Sequence, residues 1–328
     1  MPSAFPKRRK RRHMMMRRCC GRFRRCLFAL LPWGDGRAGT MLDAWKKQFT
    51  VAQFALEHED SSVFAMSQWQ RKPVPSVGYL VYRMAMTAFL LSSLVLSMVD
   101  ERNFDKPYMF RLKWPIYLTN WGFLVCTVQA VLATAILIRD FLSSRKGDDE
   151  AACGEPLYKV FWATNIIATD ASFAITALYW AIIYDASTMP LDYLNILVHG
   201  MNSVAMFIEL CVVAHPVKLA HIYFPFLFGL VYTTFTVIYY AAGGTSRDGK
   251  PNIYKVINWD KPGPTIAICV GAMVFLVVIH CCSFLVYKLR KWLATKLLKR
   301  EVDCTKAQIP IQEIFRGFDN EAMTHEII

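Results

Sequence analysis

The sequence predicts an all-α polytopic membrane protein, a bundle of six transmembrane helices with both termini in the cytoplasm. Apolar residues make up 55% of the 328 residues and charged residues only 19%, a balance typical of a chain that meets lipid. Six stretches have the length and apolar character of membrane-spanning helices. Basic residues concentrate at the two ends of the chain. Together these observations favour a membrane domain over any soluble fold.

A helix needs about 20 apolar residues to cross roughly 30 Å of hydrocarbon. Six segments meet this length, and the connections between them are rich in charged residues, Pro or Gly. The predicted spans are Val77–Val99, Trp114–Ile138, Leu157–Ile183, Leu191–Ala214, Ile222–Ala242 and Gly263–Tyr287. They define a transmembrane domain over residues 77–287, between an N-terminal arm (1–76) and a C-terminal tail (288–328).

The distribution of Lys and Arg predicts the orientation of the bundle. Sixteen of the 38 Lys and Arg residues precede Pro73, and eight follow Val286. Because cytoplasmic segments are enriched in these residues, both the arm and the tail are predicted to be cytoplasmic, which agrees with an even number of spans. Binding to nucleic acid is not expected, since the basic residues of such a protein would cover a soluble domain.

The N-terminal arm, residues 1–76, is predicted to be largely disordered. It contains the basic run Lys7-Arg-Arg-Lys-Arg-Arg12, and each such charge contributes about 1 kcal/mol of attraction to anionic inner-leaflet lipids. The run is interpreted first as a signal that retains this end inside the cell, with lipid binding as a second role. A short amphipathic helix is expected at Trp45–Leu56. No motif identifies a protein partner.

The ten cysteines indicate neither a metal site nor a cofactor. They include no CxxC pair and have no His at zinc-ligand spacing. Thiol acylation, which has a weak sequence requirement, is considered for five cysteines near the predicted inner membrane surface. These are Cys19, Cys20 and Cys26 in the arm and Cys281 and Cys282 at the inner end of the sixth span.

Polar residues inside the spans are the candidate functional residues, because ionisable side chains in lipid are costly and usually face a partner or a cavity. In the fourth span, five residues recur at steps of four, three, four and three, which places them on one helical face. They are Asn195, His199, Asn202, Met206 and Glu209. This face is expected to point at other helices or at a wet cavity.

Two charged residues fall in the inner half of the predicted bilayer. Arg83 lies early in the first span and Glu209 late in the fourth. They are interpreted as a structural ion pair, since a pair satisfies both charges. The alternative is that each side chain reaches separately toward the membrane surface.

A second polar set suggests chemistry. At 1.5 Å per residue, Thr119 lies about 7 Å and His199 about 13 Å below the outer surface, and Asp170 lies near the middle of the third span. A neutral His can take a proton from a hydroxyl and a carboxylate can orient the His, while Asn120 or Asn202 could donate to an oxyanion. The alternative, which spacing alone favours, is that these groups only hydrogen-bond helices together.

Seven blocks of the sequence form a distinctive set. They are Ser67-Gln-Trp-Gln70, Tyr79-Leu-Val-Tyr-Arg83, Tyr117-Leu-Thr-Asn-Trp-Gly122, His199-Gly-Met-Asn-Ser203, Phe228-Gly-Leu-Val-Tyr232, Ala242-Gly-Gly-Thr245 and Asn258-Trp-Asp260. These blocks resemble the rolling-stone family of membrane proteins, in the family's order, over roughly Phe64–His280. The resemblance implies a multi-pass protein of the plasma membrane, with the endoplasmic reticulum as the alternative location. The family's founding member is linked to myoblast fusion in insects, which implies a role in cell–cell contact or fusion.

Two segments, Leu118-Thr-Asn120 and Val198-His-Gly-Met-Asn202, show a more distant similarity. They are similar to the Thr segment and the His segment of the androgen-induced/FAR-17a family, whose members hydrolyse fatty acid esters of hydroxy fatty acids with an intramembrane Thr and His. This similarity implies Thr119 as the nucleophile and His199 as its base. The chain departs from the pattern at Asn202-Ser203, where a second His-Thr would be expected. A channel or transporter is a weaker alternative, since no inverted repeat is visible.

Overall fold

The computed structural model describes residues 46–72, 74–99, 108–146, 155–187 and 191–298. These ranges form an all-helical bundle without a strand, and six of the helices are long and apolar enough to cross a membrane. The predicted six-helix membrane bundle is thereby confirmed. The six helices are α1 (Val77–Val99), α2 (Leu118–Lys146), α3 (Glu155–Leu178), α4 (Tyr193–Val212), α5 (Tyr223–Ala241) and α6 (Pro262–Leu298).

Shorter elements flank these spans. A π-helical turn, Tyr179–Ile183, prolongs α3, and a second one, Leu197–Met201, interrupts α4 between Tyr193–Ile196 and Asn202–Val212. The other short helices are Val51–Phe54, Ser61–Ala65, Tyr108–Leu112, Trp114–Ile116 and Leu219–Ile222. We call the end of the bundle where α1 begins and α6 ends the terminal side, and the opposite end the loop side.

The largest differences from the predicted spans are at three helix ends. The second helix continues past its predicted end at Ile138 to Lys146. The second span begins at Leu118 and not at Trp114, because Trp114–Ile116 is a 3-10 turn containing Pro115 and Tyr117 is extended. The sixth helix continues beyond the predicted end at Tyr287 to Leu298. No Gly or Pro follows Gly271 in that helix, so nothing in its sequence interrupts the backbone hydrogen bonds.

Residues 55–69, which we call the pre-span segment, pack against the terminal side of the bundle. Phe64 is 1% exposed, and its ring centroid lies 4.8 Å from that of Tyr158 and 5.2 Å from that of Trp162. Both partners belong to α3. Part of the arm expected to be largely disordered, residues 1–76, is therefore integral to the helical core.

Hydrogen bonds fix the pre-span segment to the end of α4. The Trp69 indole N–H donates to the Cys211 carbonyl at 2.7 Å, and Ser67 forms an antiparallel bridge with Val213. The Lys218 ammonium donates to the Ala55 carbonyl at 3.1 Å. The Trp69 bond satisfies a carbonyl in the last turn of α4, where carbonyls have no intrahelical partner, and the Lys218 bond joins the start of the pre-span segment to the connection after α4.

The amphipathic helix expected at Trp45–Leu56 is not continuous. Residues 46–48 and Val51–Phe54 are helical, and a turn separates them. The basic run Lys7–Arg12 and the cysteines Cys19, Cys20 and Cys26 lie outside the described residues.

Arg83 of α1 and Glu209 of α4 form a buried ion pair with 2.5 Å between Nη1 and Oε1, and each side chain is 1% exposed. The Tyr82 hydroxyl donates to the second carboxylate oxygen of Glu209 at 3.0 Å. The Arg83 Nε–H donates to the Tyr79 hydroxyl at 2.9 Å. Because both carboxylate oxygens have a donor, the pair balances its charges inside the bundle and ties α1 to α4.

We predict that breaking this pair costs more than removing it. Arg83→Met should lower the free energy of unfolding by about 3–5 kcal/mol, because it leaves the Glu209 carboxylate buried without its counter-ion. The double variant Arg83→Met/Glu209→Leu should recover most of that loss. Denaturant unfolding of the purified protein in bicelles measures both. An equal loss of unfolding free energy in the single and double variants would contradict a buried ion pair whose two members depend on each other.

We also predict that the pre-span segment contributes to stability. Phe64→Ala removes a fully buried ring and should cost about 3–5 kcal/mol, lowering the melting temperature in detergent. Val51→Ala is the matched control, because Val51 is 90% exposed and its substitution should change little. A Phe64→Ala protein that melts with the wild type would show that the segment is not docked.

Candidate functional site

A cavity of about 480 Å³ lies at the loop side of the bundle. Its walls come from the loop-side ends of α1–α4, from the α1–α2 connection and from the connection between α5 and α6. Most of the polar groups in its helical wall come from α2 and α4: Thr119, Asn120, Asn195 and His199. The cavity is the candidate functional site because it brings together side chains that the sequence singled out on separate helices.

The α2 wall of the cavity is built from the first turn of that helix. Thr119 and Asn120 are 6% and 7% exposed. The Asn120 amide donates to the Trp114 carbonyl at 2.6 Å, across the 3-10 turn that precedes the helix. The Leu118 backbone N–H donates to the Tyr254 hydroxyl at 2.9 Å, and the Thr119 side chain is a further hydrogen-bond partner of that hydroxyl. Thr119 is therefore held against the α5–α6 connection.

The two π-helical turns face each other across the wall made by α3 and α4. The Tyr179 and His199 rings are stacked, with 3.4 Å between centroids and 2° between planes. The Trp180 indole N–H donates to the His199 carbonyl at 3.0 Å, and the Tyr179 hydroxyl donates to Asn195 Oδ1 at 2.8 Å. A π turn displaces backbone carbonyls from the regular ladder and is frequent at functional sites. Here it lets Trp180 hold the backbone at His199.

Residues 242–261, which we call the cover, close the cavity from the loop side. The Arg247 guanidinium lies 4.9 Å from the Phe110 ring centroid and 5.4 Å from that of Tyr117. The cover turns at Gly243 and Gly249, whose φ angles of 75° and 74° favour glycine. Arg247 is thus sandwiched against aromatic residues of the α1–α2 connection.

A second contact fixes the cover to the same connection. The Lys113 ammonium donates to the Thr245 hydroxyl at 2.7 Å and to the Ser246 carbonyl at 2.8 Å. The Tyr239 hydroxyl, at the end of α5, donates to the Thr245 carbonyl at 2.9 Å. The cover is therefore an ordered part of the fold rather than a loose loop.

The charges that line the cavity all come from the cover. Arg247, Lys250 and Lys255 carry three positive charges against one negative charge from Asp248, a net charge of +2 if His199 is neutral. Burial raises the pKa of the Tyr254 hydroxyl to about 12 and also raises the pKa of Tyr117, which lines the cavity as well. Both phenols are therefore neutral near pH 7, and the cavity as a whole is positive.

The sequence-derived catalytic set is only partly brought together. Thr119, His199 and Asn120 line the cavity, whereas Asp170 and Asn202 do not belong to its lining. Asn202 is fully buried and its Oδ1 accepts from the Ser203 backbone N–H at 2.8 Å.

Asp170, considered from the sequence as the group that orients His199, is engaged on another helix. Its Oδ2 lies 2.6 Å from His280 Nδ1, and its Oδ1 accepts from the Ser283 hydroxyl at 2.8 Å. Both partners belong to α6, so Asp170 joins α3 to α6. The ring that stacks on His199 is instead that of Tyr179.

Sequence reasoning missed the cover and the aromatic wall. Arg247 and Tyr254 lie in a connection between spans, where a charge or an aromatic residue is ordinary. The usable signal was the group of three glycines, Gly243, Gly244 and Gly249, which marks a tightly turned connection. Tyr179 gave no signal, since an aromatic residue near the end of a span is also expected at a membrane surface.

The remaining predicted positions lie on α6 or concern metal binding. Cys281 is half-buried and Cys282 is exposed, and their acylation stays a prediction. Within the described ranges, no group of three or more His, Cys, Asp or Glu side chains could hold a metal ion.

Comparison with known proteins identifies the family. The family model described as Protein rolling stone matches residues 39–300. Protein rolling stone of Drosophila melanogaster is 26% identical over 258 residues, which cover 76% of this chain and 90% of that protein. No solved structure matches the chain. Because the family match includes all six membrane helices, the pre-span segment and the cover, this chain is a member of the rolling stone family.

Proposed function

We propose that this protein acts at the plasma membrane in cell–cell contact or myoblast fusion, with both termini in the cytoplasm and the cover outside the cell. Membership of the rolling stone family over residues 39–300 supports the proposal. The excess of Lys and Arg at both chain ends supports the orientation. In this arrangement the basic arm meets anionic inner-leaflet lipids through Lys7–Arg12, and the tail lies in the same compartment.

The cover suits a contact role because it is held in one conformation. The Lys113 ammonium, the Tyr239 hydroxyl and the Leu118 backbone N–H each form a hydrogen bond with it, while Asp248, Lys250 and Lys255 are exposed. A surface whose backbone is already ordered loses less conformational entropy when a partner binds. The cover is therefore the part of the chain that we expect an apposed cell to meet.

This proposal predicts both a topology and a phenotype. Tags at either terminus should stain only after permeabilisation, and a tag inserted after Gly249 should stain on intact myoblasts. Lys113→Met removes two hydrogen bonds from a charged donor, worth about 1.5–3 kcal/mol each, and should reduce the fusion index by at least half at unchanged surface level. Lys72→Met, an exposed lysine on the terminal side, is the matched control.

Unchanged fusion of myoblasts that lack the protein would overturn the contact role. Staining of the terminal tags on intact cells would overturn the orientation.

A second candidate function is hydrolysis of lipid esters, such as fatty acid esters of hydroxy fatty acids. The observation that favours it is the presence of Thr119 and His199 in the lining of one cavity. In this reaction His199 takes the Thr119 proton while the hydroxyl oxygen attacks the ester carbonyl, and the proton passes to the departing alcohol. Water then hydrolyses the acyl–threonine. The engagement of Asp170 by His280 weakens this candidate, because no carboxylate in the lining replaces it except Asp248 of the cover.

Turnover measurements test the hydrolase. Thr119→Ala and His199→Ala should each reduce hydrolysis of a lipid-ester panel by the purified protein at least 100-fold, since each removes a reacting group. Thr127→Ala is the control, because Thr127 is a buried α2 residue that does not line the cavity. Its hydroxyl donates to the Phe123 carbonyl of the same helix at 3.0 Å and to the Leu90 carbonyl of α1 at 3.5 Å. No turnover by the wild type, or equal turnover by Thr119→Ala, would end this candidate.

A further inference from the structure

We propose that the loop-side cavity binds an amphiphile with an anionic headgroup, a carboxylate or a phosphate, and that Arg247 is its principal cationic contact. Such binding goes beyond both functions above, because it requires neither a partner cell nor cleavage of a bond. It rests on the charge, the donors and the apolar wall of the cavity.

The charge of the lining selects the headgroup. Three cations and one carboxylate, all from the cover, give the site a net charge of +2 if His199 is neutral. Lys250 and Lys255 are exposed, whereas Arg247 is half-buried against the Phe110 and Tyr117 rings. Attraction between charges strengthens as water is excluded, and the planar fork of arginine matches the oxygens of a carboxylate or a phosphate.

Neutral hydrogen-bond donors complement the cations. Thr119, Tyr117 and Tyr254, whose side chains carry hydroxyls, line the cavity, and the raised pKa values of the two phenols keep their protons in place near pH 7. A protonated phenol can donate to an anion without repelling it. The first turn of α2 also forms part of the wall, so the positive end of that helix dipole adds to the attraction.

An apolar wall indicates that the ligand carries a hydrocarbon chain. Ile182, Ile183, Leu194 and Val198 line the cavity between α3 and α4, and Ile182 is 54% exposed. A chain leaving the cavity along this wall would reach lipid. The volume of about 480 Å³ lies within the range of small-molecule sites and suits a headgroup with the first part of a chain.

A quaternary ammonium headgroup is the opposite possibility, since aromatic rings bind such cations well. Phe110, Trp114 and Tyr117 line the cavity, but the Arg247 guanidinium already lies against two of these rings. The positive lining would repel a second cation. The charges therefore favour an anion over choline-like ligands.

Ligands with one chain length and different headgroups test this inference. Palmitate, hexadecyl phosphate, hexadecanol and hexadecylphosphocholine would be titrated into the purified full-length protein in nanodiscs, with affinity measured by displacement of a fluorescent fatty acid. None of the four contains a carboxylic ester, the bond that the proposed hydrolase would cleave, so failure of the hydrolase leaves the result unaffected. At least one of the two anions should bind more than tenfold more tightly than hexadecanol and hexadecylphosphocholine. Whichever anion binds more tightly identifies the headgroup as a carboxylate or a phosphate.

Variants of the cover test the role of Arg247. Arg247→Gln should weaken binding of the anion at least tenfold. The affinity of Arg247→Lys should lie between those of the wild type and Arg247→Gln, because lysine keeps the positive charge but lacks the planar guanidinium. Lys72→Gln, on the terminal side, should bind as the wild type does. If Arg247→Gln does not fold, the double variant Lys250→Gln/Lys255→Gln, at two exposed positions, takes its place. Its affinity for the anion should be at least threefold lower than that of the wild type.

The inference would be overturned by equal binding of hexadecanol and the anions, by preference for hexadecylphosphocholine, or by full affinity in Arg247→Gln. If inorganic phosphate competes as strongly as hexadecyl phosphate, the hydrocarbon chain contributes nothing to binding and the cavity is a simple anion site. This result also contradicts the proposal.

Discussion

Hydrocarbon offers no hydrogen-bond partner, so each spanning segment of this chain must satisfy its backbone N–H and C=O groups within its own helix. The same lack of partners acts on side chains and favours ionisable groups that face another helix or a cavity, as Arg83, Glu209 and Asp170 do. The polar face of α4 follows this constraint along its length. Glu209 is paired, Asn202 is buried, and His199 lines the loop-side cavity.

Depth in the bundle separates polar groups that hold helices together from those that line a site. Arg83 with Glu209, and Asp170 with His280, are buried pairs whose members come from different helices. Their charges or hydrogen bonds are matched, so they stabilise particular helix neighbours. Near the loop side, Thr119 and His199 line the cavity instead. Any ligand chemistry of the described chain is therefore expected at that end.

Segments outside the spans close both ends of the bundle. On the terminal side, Phe64 of the pre-span segment packs against the apolar surface of α3. The Trp69 indole N–H donates to a carbonyl at the end of α4. On the loop side, Lys113 and Arg247 join the cover to the α1–α2 connection. Without the cover, the cavity would lose the side chains that supply its net charge. The connections thus contribute as much to the candidate site as the helices do.

The sequence by itself determined the six spans, the inward polar face of α4 and the resemblance to the rolling stone family. These depend on segment length, on helical periodicity and on local residue blocks, all of which are properties of neighbouring residues. Only the tertiary structure decided that Asp170 pairs with His280 and not with His199, that residues 55–69 dock, and that Arg247 covers the cavity. Such choices depend on the rotation and depth of one helix relative to another, which no local pattern records.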